Sequence, residues 1–385
     1  FDPTKPSLHV GHLMSLMVFH YLQEAGHRMI FILGGGTAQV GDPSGRMKGR
    51  EMISVEEVNK NGEAVKRQVQ GMGLTNLEED RAGKPKAILL NNAEWLDMPL
   101  LEYAREVTPY FSVNELVKRD TFAERLEQQL PLSLFEFLYT TLQGYDFLYL
   151  YDNYKCYIQI GGNDQWANIL DGMTLIKRKR GDTAYAMTFP LLMDRTGQKM
   201  GKTSEGETIW LAATGEYSTS PFDFYQYWVH CPDEDLERNF KLFTFLPLEE
   251  IDEIMKGHPR EAQHRLAFEV TKIVHGEEMA KRVQQDALRA FGKAAGLPEE
   301  IPMHMVKTSA VQEGLLVRQV LVDSDSVTSM SEARRLLQQG GVRLNDVALS
   351  DVKHALRLED FVETEGQRVA LVRFGRGKVL KLVLE

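Results

Sequence analysis

The sequence contains little cysteine, with only Cys156 and Cys231 in 385 residues. Neither cysteine belongs to a Cys-x-x-Cys pair or a histidine cluster, which excludes the usual zinc frameworks, so we expect no structural metal. The chain also lacks a signal-peptide pattern, a low-complexity tract, an internal repeat and any apolar run of about eighteen residues or more. We therefore expect a cytoplasmic protein, in a compartment where free thiols stay reduced.

Charge is distributed unevenly along the chain. The formal net charge is −10, but residues 326–385 hold ten Lys and Arg against eight Asp and Glu. The last sixty residues are therefore slightly basic while the remainder is acidic. This asymmetry favours the tail as the contact for a polyanion, although ordinary variation of a protein surface explains it equally well.

The first half of the chain alternates between helical and strand patterns. A helix is predicted over 13–25, and short apolar runs predict strands at 28–33, 87–90 and 157–160. Such alternation is typical of an α/β fold with a Rossmann-like, doubly wound parallel sheet. We assign this domain to 1–215, with a connective insertion at about 47–130.

Two further domains follow in the prediction. Residues 216–293 indicate an α-helical domain with breaks at 231–232 and 258–259, and 294–313 are interpreted as a linker. A small α+β domain then occupies 314–385. Its predicted elements are a helix over 332–339 with Ser331 as N-cap and strands at 342–344, near 369–374 and near 379–384.

Two motifs indicate chemistry on the phosphates of ATP. His-Val-Gly-His at 9–12 opens the first helix, where backbone N–H groups and the helix dipole favour negative charge. Lys-Met-Gly-Lys-Thr at 199–203 places two lysines on a glycine-containing loop. Either motif alone has a plain alternative, a stray histidine pair or a solvated lysine face. Their joint occurrence favours the ATP interpretation.

Two turn-rich loops carry polar residues at the ends of predicted strands. The first, 34–46, combines glycines with Asp42, which either makes a local turn or lies beside a bound ammonium group. The second, 161–166, contains Gly162, Asp164 and Gln165 at a helix start, where a ribose or a carboxylate can be held.

A polar stripe crosses a predicted helix. Tyr139, Gln143 and Asp146 are spaced i, i+4 and i+7 and therefore share one face, bordered by Phe and Leu. Buried polar groups need partners, so the stripe either pairs internally or receives a ligand. An amino acid that carries an ammonium group and a phenol would satisfy all three residues.

The tail carries Arg334, Arg335 and Arg343. Such charges bind phosphates or simply solubilise a small domain. Since no aromatic residues are interleaved for base stacking, the pattern favours backbone and shape recognition of folded RNA.

The chain resembles the bacterial tyrosyl-tRNA synthetases, which are class I enzymes, over essentially all of its length. The histidine motif is similar to the HIGH motif and the lysine motif to KMSKS, and the two loops resemble the two pocket loops of the family. The KMSKS motif has serines at the two positions that Gly201 and Thr203 occupy in this chain. At position 46, where this chain has Arg, relatives often have Lys. The stripe makes tyrosine the implied substrate, and the tail unit resembles a small ribosomal-protein-like RNA-binding domain.

This resemblance implies the reaction and the residues that serve it. ATP and tyrosine would give tyrosyl-adenylate and pyrophosphate, and tyrosine would then pass to the terminal ribose of tRNA(Tyr). Mg²⁺ would accompany ATP, held mainly by phosphates and water. The implied tyrosine contacts are Asp42, Tyr139, Gln143, Asp146 and Gln165. The implied ATP contacts are Thr4, His9, Gly11, His12, Gly162, Asp164 and Lys202. The implied catalytic groups are His9, His12, Lys199, Lys202, Thr203, Arg46 and Arg50, and the tRNA contacts are Arg334, Arg335 and Arg343.

The resemblance also implies a homodimer, with 111–114 near its interface. Two alternatives remain. One is a tryptophanyl-tRNA synthetase, although an indole does not require this stripe and the tail domain is not typical of that enzyme. The other is an RNA-binding protein derived from a synthetase that no longer activates an amino acid. Tyrosine-dependent pyrophosphate exchange separates these possibilities.

Overall fold

The chain folds into two compact units, Phe1–Ser218 and Thr219–Glu385. The computed structural model describes residues 1–43, 53–77, 80, 84–191, 193, 201, 208–291, 298–364, 366–375 and 377–385. Within these ranges, no helix has the length and apolar character needed to cross a membrane.

The first unit alternates helices with four short strands. In chain order its elements are α1 (Val10–Glu24), β1 (Ile30–Leu33), α2 (Thr37–Val40), α3 (Val55–Gly71), β2 (Ile88–Asn91), α4 (Ala93–Leu96), α5 (Leu100–Glu106), α6 (Val113–Leu116), α7 (Asp120–Glu127), α8 (Leu134–Tyr154), β3 (Ile158–Gly162), α9 (Trp166–Arg180) and β4 (Tyr185–Phe189). The first helix and the first three predicted strands are confirmed, with bounds shifted by one to three residues.

The strands of this unit form two parallel pairs. β1 pairs with β2 from Ile30↔Ile88 onward, and β3 pairs with β4 from Ile158↔Tyr185 onward. Parallel pairing agrees with an α/β fold, but in the described part of the unit the pairs form two separate sheets. One continuous doubly wound sheet therefore stays a prediction. Because β2 lies inside the stretch predicted as an insertion and pairs with β1, residues 88–91 belong to the sheet.

The long helix α8 is fixed at its start and packed closely along its length. The hydroxyl of Ser133 accepts a hydrogen bond from the backbone N–H of Glu136, whose carboxylate accepts one from Ser133 in return. This capping box satisfies N–H groups that the first turn leaves without partners. The apolar residues Phe147, Leu148, Ile169 and Leu175 then join α8 to α9 in one buried cluster.

Glycines allow α8 and α9 to approach each other. A Cβ at Gly144 would lie 3.3 Å from the backbone nitrogen of Gly172, and a Cβ at Gly172 would lie 2.8 Å from the Cβ of Phe147. Real Cβ atoms almost never approach as closely as the second distance, so position 172 requires glycine in this packing. The close contact brings the polar face of α8 beside the start of α9.

The second unit begins with five helices and continues into a mixed sheet. Its elements are α10 (Pro221–Val229), α11 (Leu236–Phe243), α12 (Leu248–Met255), α13 (Pro259–His275), α14 (Glu277–Ala290), β5 (Met303–Val306), α15 (Thr308–Gln312), α16 (Val317–Asp323), α17 (Met330–Gln338), β6 (Val342–Leu344), β7 (Val347–Leu349), β8 (Val362–Thr364), β9 (Gln367–Phe374) and β10 (Lys378–Leu384). The predicted helix break at 231–232 lies between α10 and α11, and the one at 258–259 coincides with the start of α13, where His258 is the N-cap and Pro259 the first residue.

The C-terminal sheet has the order β5-β10-β9-β6-β7, with β8 paired to β9. β5 pairs in parallel with β10, so the described part of the stretch predicted as a linker contributes an edge strand and the helix α15. The sheet packs against α16 and α17 through an apolar core that includes Leu321, Leu337 and Val372.

The start of α17 differs from the prediction. Ser329, rather than Ser331, is the N-cap, because its hydroxyl accepts the N–H of Glu332 at 3.2 Å. The carboxylate of Glu332 in turn accepts a hydrogen bond from the Thr328 hydroxyl at 2.7 Å. Ser331 lies inside the first helical turn. The predicted strand at 342–344 is confirmed as β6.

Candidate active site

The histidine motif forms a capped helix start. The Nδ1 atom of His9 accepts the backbone N–H of Gly11 at 3.1 Å, and the Nδ1 atom of His12 accepts the backbone N–H of His9 at 3.2 Å. Because Nδ1 accepts in each ring, a neutral imidazole carries its proton on Nε2. The two rings lie 3.9 Å apart between centroids. Together they present N–H donors beside the positive end of α1.

His12 is uncharged near neutral pH. Burial lowers the pKa of His12 well below its ordinary value, and the neighbouring His9 lowers it further. Electrostatic stabilisation by this residue therefore comes from an N–H dipole rather than from an imidazolium charge.

The lysine motif meets the histidine motif through Gly201. This glycine has φ +104°, and a Cβ there would lie 3.3 Å from the backbone nitrogen of Gly11. Its carbonyl accepts the N–H of Ile209, whose own carbonyl accepts the N–H of Val10. Gly201 therefore packs against the histidine motif, at a positive φ that glycine adopts without the steric cost of a side chain.

Several predicted catalytic residues lie outside the described residues, namely Lys199, Lys202, Thr203, Arg46 and Arg50. Their roles stay predictions. Thr4 lies on the segment that leads into α1, with its N–H bonded to the carbonyl of Asp2 at 2.8 Å, and Gly11 is the second residue of α1.

In the stripe on α8, Tyr139 and Asp146 are buried, Gln143 is partly buried, and all three are paired within the protein. The hydroxyl of Tyr139 donates to Oδ2 of Asp2 at 2.9 Å, and the hydroxyl of Thr37 donates to Oδ1 of the same carboxylate at 2.8 Å. Burial raises the pKa of the Asp2 carboxyl, and these hydrogen bonds oppose the rise. A Cβ at Gly34 would lie 2.0 Å from Oδ1 of Asp2, so this glycine makes room for a side chain of the protein itself.

Asp146 accepts two side-chain hydrogen bonds. Its Oδ1 accepts the indole N–H of Trp95 at 2.7 Å, and its Oδ2 accepts the amide of Asn92 at 2.9 Å. The side chain is 3% exposed. Burial raises the pKa of Asp146 to about 7, although both hydrogen bonds lower it. The carboxyl group is therefore held at the boundary between its ionised and protonated forms near neutral pH.

A second polar cluster joins α8 to the loop after β3. Gln165 donates to Oδ2 of Asp42 at 2.7 Å, while the amide of Asn168 donates to Gln143 at 3.0 Å and to Gln165 at 3.2 Å. The backbone of the preceding loop is equally crowded, because a Cβ at Gly162 would lie 2.7 Å from the carboxylate of Asp164. All five residues predicted to bind tyrosine thus belong to two neighbouring sets on and around α8.

The sequence of this chain matches a known family. A family model described as "tRNA synthetases class I (W and Y)" covers residues 1–292. The chain belongs to this family. It is 44% identical to a tyrosine–tRNA ligase of Acetivibrio thermocellus, over 94% of this chain and 86% of the relative, and 42% identical to a tyrosine–tRNA ligase of Caldanaerobacter subterraneus subsp. tengcongensis, over 100% and 91%.

Solved structures agree with this class I synthetase assignment. A C-terminally truncated mitochondrial tyrosyl-tRNA synthetase of Aspergillus nidulans superposes with a TM-score of 0.65 and 34% identity, covering 74% of this chain and 82% of that one. A tyrosyl-tRNA synthetase of Archaeoglobus fulgidus, solved with L-tyrosine, has a TM-score of 0.52 at 18% identity over 74% and 88%. The second likeness concerns the fold alone.

The class I synthetase site contains residues that sequence reasoning missed. Asp2, Thr37, Asn92, Trp95 and Asn168 all bond to predicted tyrosine contacts or to one another. A signal existed for Asn92 and Trp95, because they follow the predicted strand at 87–90. Ligand sites of parallel sheets lie beyond the carboxyl ends of strands.

The tail arginines lie at the protein surface. Arg334 and Arg335 are exposed on α17, and Arg343 is exposed on β6. Arg343 lies directly opposite Arg373 of β9. Burial lowers the pKa of Arg373, and the charge of Arg343 lowers it further. Like charges opposite each other destabilise a sheet, but Arg373 also pairs with the carboxylate of Asp346, which offsets this repulsion.

Proposed function

We propose that this protein is a tyrosine–tRNA ligase. It activates L-tyrosine with ATP to tyrosyl-adenylate and pyrophosphate, and then transfers tyrosine to the 3′ end of tRNA(Tyr). The observation that carries the proposal is the polar stripe on α8, with Tyr139 and Asp146 buried and Gln143 partly buried, in a chain of the class I tyrosine and tryptophan family. The similarity to bacterial tyrosine–tRNA ligases over nearly the full chain supports the same conclusion.

In the first step an oxygen of the tyrosine carboxylate attacks the α-phosphorus of ATP. A new phosphorus–oxygen bond forms, and the bond to the bridging oxygen breaks as pyrophosphate leaves. The protein supplies position and charge stabilisation rather than a nucleophile. The Nε2–H groups of His9 and His12 donate to phosphate oxygens at the start of α1, where Gly201 of the lysine motif packs against Gly11.

Tyrosine selection depends on the two polar sets around α8. Asp146 accepts the substrate phenol, while Asp42, Tyr139 and Gln143 surround the ammonium group and Gln165 lies by the carboxylate. The internal hydrogen bonds of these residues support this role, because they hold each acceptor in a fixed direction before the substrate arrives. Asp164, at the end of β3, contacts the ribose of ATP.

In the second step a hydroxyl of the terminal ribose of tRNA attacks the carbonyl carbon of the adenylate, and AMP leaves. The C-terminal unit binds the tRNA through Arg334, Arg335 and Arg343. The exposure of all three side chains supports this assignment, because the phosphate groups of tRNA bind accessible guanidinium groups. Mg²⁺ enters with ATP as part of the substrate. Among the described residues, no group of three His, Cys, Asp or Glu side chains forms a metal cage.

The enzyme acts as a homodimer in the cytoplasm. Support for the dimer comes from large apolar side chains of the first unit that are strongly exposed, among them Leu100 (76%), Leu134 (72%) and Val113 (63%). Large apolar side chains that are exposed in a single chain are typical of protein–protein interfaces. Sedimentation equilibrium of the full chain tests this part: a monomer at micromolar concentration would contradict it.

ATP–pyrophosphate exchange with each of the twenty amino acids tests the function. We expect exchange with tyrosine alone, because only tyrosine offers the phenol that Asp146 accepts. Exchange with tryptophan would assign the chain to the other branch of its family. Exchange with none would favour an RNA-binding protein that has lost amino-acid activation.

A further inference from the structure

An aromatic stack lies directly behind the carboxylate of Asp146. Trp95 of α4 is 7% exposed, and its ring lies parallel to that of Tyr149 on α8, with centroids 4.3 Å apart and an interplanar angle of 11°. Tyr149 follows Asp146 by three residues on the same helix, so the two side chains are neighbours on its surface. None of the predicted tyrosine or ATP contacts includes Tyr149.

The stack controls the direction of a single hydrogen bond. An indole ring has one donor, its Nε1–H, and in Trp95 this group donates to Oδ1 of Asp146 at 2.7 Å. The ring cannot tilt without moving that donor. Since Tyr149 covers one face of the ring, it limits the tilt. Asn92 fixes the other carboxylate oxygen independently, through a hydrogen bond of 2.9 Å.

We propose that Tyr149 is a positioning residue for amino-acid selection, which holds the indole of Trp95 so that its N–H orients the carboxylate of Asp146 toward the substrate hydroxyl. This inference rests on the proposed function. It places one determinant of tyrosine specificity outside the pocket, on a side chain that bonds to none of the predicted substrate contacts. Tyr149 acts through the face of its aromatic ring, which packs on the ring of Trp95, rather than through its hydroxyl group.

The protonation of Asp146 gives a readout for this arrangement. Burial raises the pKa of Asp146, and the hydrogen bonds from Asn92 and Trp95 lower it. The titratable groups that face Asp146 are Asp2, Tyr103, Tyr139 and the amino group of Phe1. Loss of the Trp95 bond removes one of the influences that keep the carboxyl ionised. The pKa of Asp146 would then rise further. As the pH is lowered, tyrosine selection would therefore begin to weaken at a higher pH than in the parent protein.

The experiment compares Tyr149→Leu with Tyr149→Phe in the full-length chain by pyrophosphate exchange. For Tyr149→Leu we expect the ratio of kcat/KM for tyrosine to that for phenylalanine to fall about tenfold, and the pH midpoint of kcat/KM for tyrosine to rise, with the KM for ATP unchanged. Tyr149→Phe retains the ring, so it should keep both values. Tyr151→Leu is the matched control, since this tyrosine lies on the same helix but bonds to Asp182.

A double-mutant cycle tests whether Tyr149 acts through Trp95. In a Trp95→Phe background the donor is already absent, so adding Tyr149→Leu should change neither the discrimination ratio nor the pH midpoint. A full additional loss in that background would overturn the proposal, as would unchanged discrimination in Tyr149→Leu alone. If the parent protein shows no tyrosine-dependent exchange, the proposed function itself fails. Thermal melts of each variant separate a folding defect from a selection defect.

Discussion

The tyrosine pocket and the C-terminal sheet bury different kinds of side chain. Around α8, the buried residues include Thr37, Asn92 and Asp146, which are joined by hydrogen bonds, and Asn168, which bonds to Gln143. Among the described residues from Pro298 onward, the buried side chains are apolar, and most of them belong to one cluster. The pocket is held by directional bonds, whereas the tail is held by apolar burial and carries its charges outside.

This difference predicts which property a substitution in each region should change. Removing one partner from a buried polar network leaves a donor or acceptor unsatisfied and disturbs the direction of the others. Removing an apolar side chain leaves a cavity and lowers stability, with less effect on direction. Substitutions in the pocket should therefore mainly change specificity for tyrosine, whereas substitutions in the core of the tail should mainly change stability.

The largest expected effect is that of Asp146→Ala. The side chain is the proposed acceptor of the substrate phenol, and sites built around a buried hydroxyl discriminate by about 10⁴ to 10⁵. We expect discrimination against phenylalanine to fall by a large part of that factor, with little change in the KM for ATP, as measured by pyrophosphate exchange. Asp152→Ala on the same helix is the control, since Asp152 pairs with Arg180. Unchanged discrimination in Asp146→Ala would reject the role.

The next effect concerns the apolar core of the tail. Leu337 is fully buried on α17, so Leu337→Ala should destabilise this region by about 2–5 kcal/mol through lost burial and a cavity. Hydrogen exchange of amides in 298–385 measures the loss, and pyrophosphate exchange should stay near the parent rate. Met330→Ala on the same helix, at a site that is 37% exposed, should change stability by no more than about 0.5 kcal/mol. A parallel loss of tyrosine selection in Leu337→Ala would break the contrast between the regions.

A smaller effect is expected where α8 meets α9. Gly172→Ala places a methyl group 2.8 Å from the Cβ of Phe147. Overpacking of this kind costs about 1–3 kcal/mol and should move the polar face of α8, so thermal stability should fall and the KM for tyrosine should rise. Gly71→Ala, with no atom within 4 Å of the new methyl group, is the control and should be neutral. Loss of stability with an unchanged KM would show that the pocket tolerates this shift.

The smallest effect is that of Arg343→Ala. Loss of one phosphate contact should raise the KM for tRNA a few-fold and reduce the slope of log affinity against log salt by about 1, without changing pyrophosphate exchange. Arg357→Ala serves as the control, because Arg357 is an exposed arginine of the same region that pairs with Glu359. Equal effects of the two substitutions would indicate a general charge effect rather than a contact.

Much of the candidate site was predictable because its residues lie in short local patterns. The histidine motif, the stripe on α8 and the loop after β3 each combine a polar pattern with a helix start or a strand end. The partners that hold them were less predictable. Asp2 meets Tyr139 across 137 positions, and Trp95 meets Asp146 across 51. Such pairs form when distant segments of the chain pack together, so the spacing of residues along the sequence does not predict them.

The sequence by itself determined the family motifs, the spacing that puts Tyr139, Gln143 and Asp146 on one helix face, and the approximate bounds of several helices and strands. These features depend on local periodicity and on residue chemistry. Only the tertiary structure decided that Gly201 packs against Gly11, that Trp95 donates to Asp146, and that β5 joins the C-terminal sheet. Each of these contacts joins residues that are far apart in sequence and meet when apolar surfaces are buried. Because the hydrophobic effect is non-directional, the local sequence pattern does not specify which distant residues meet.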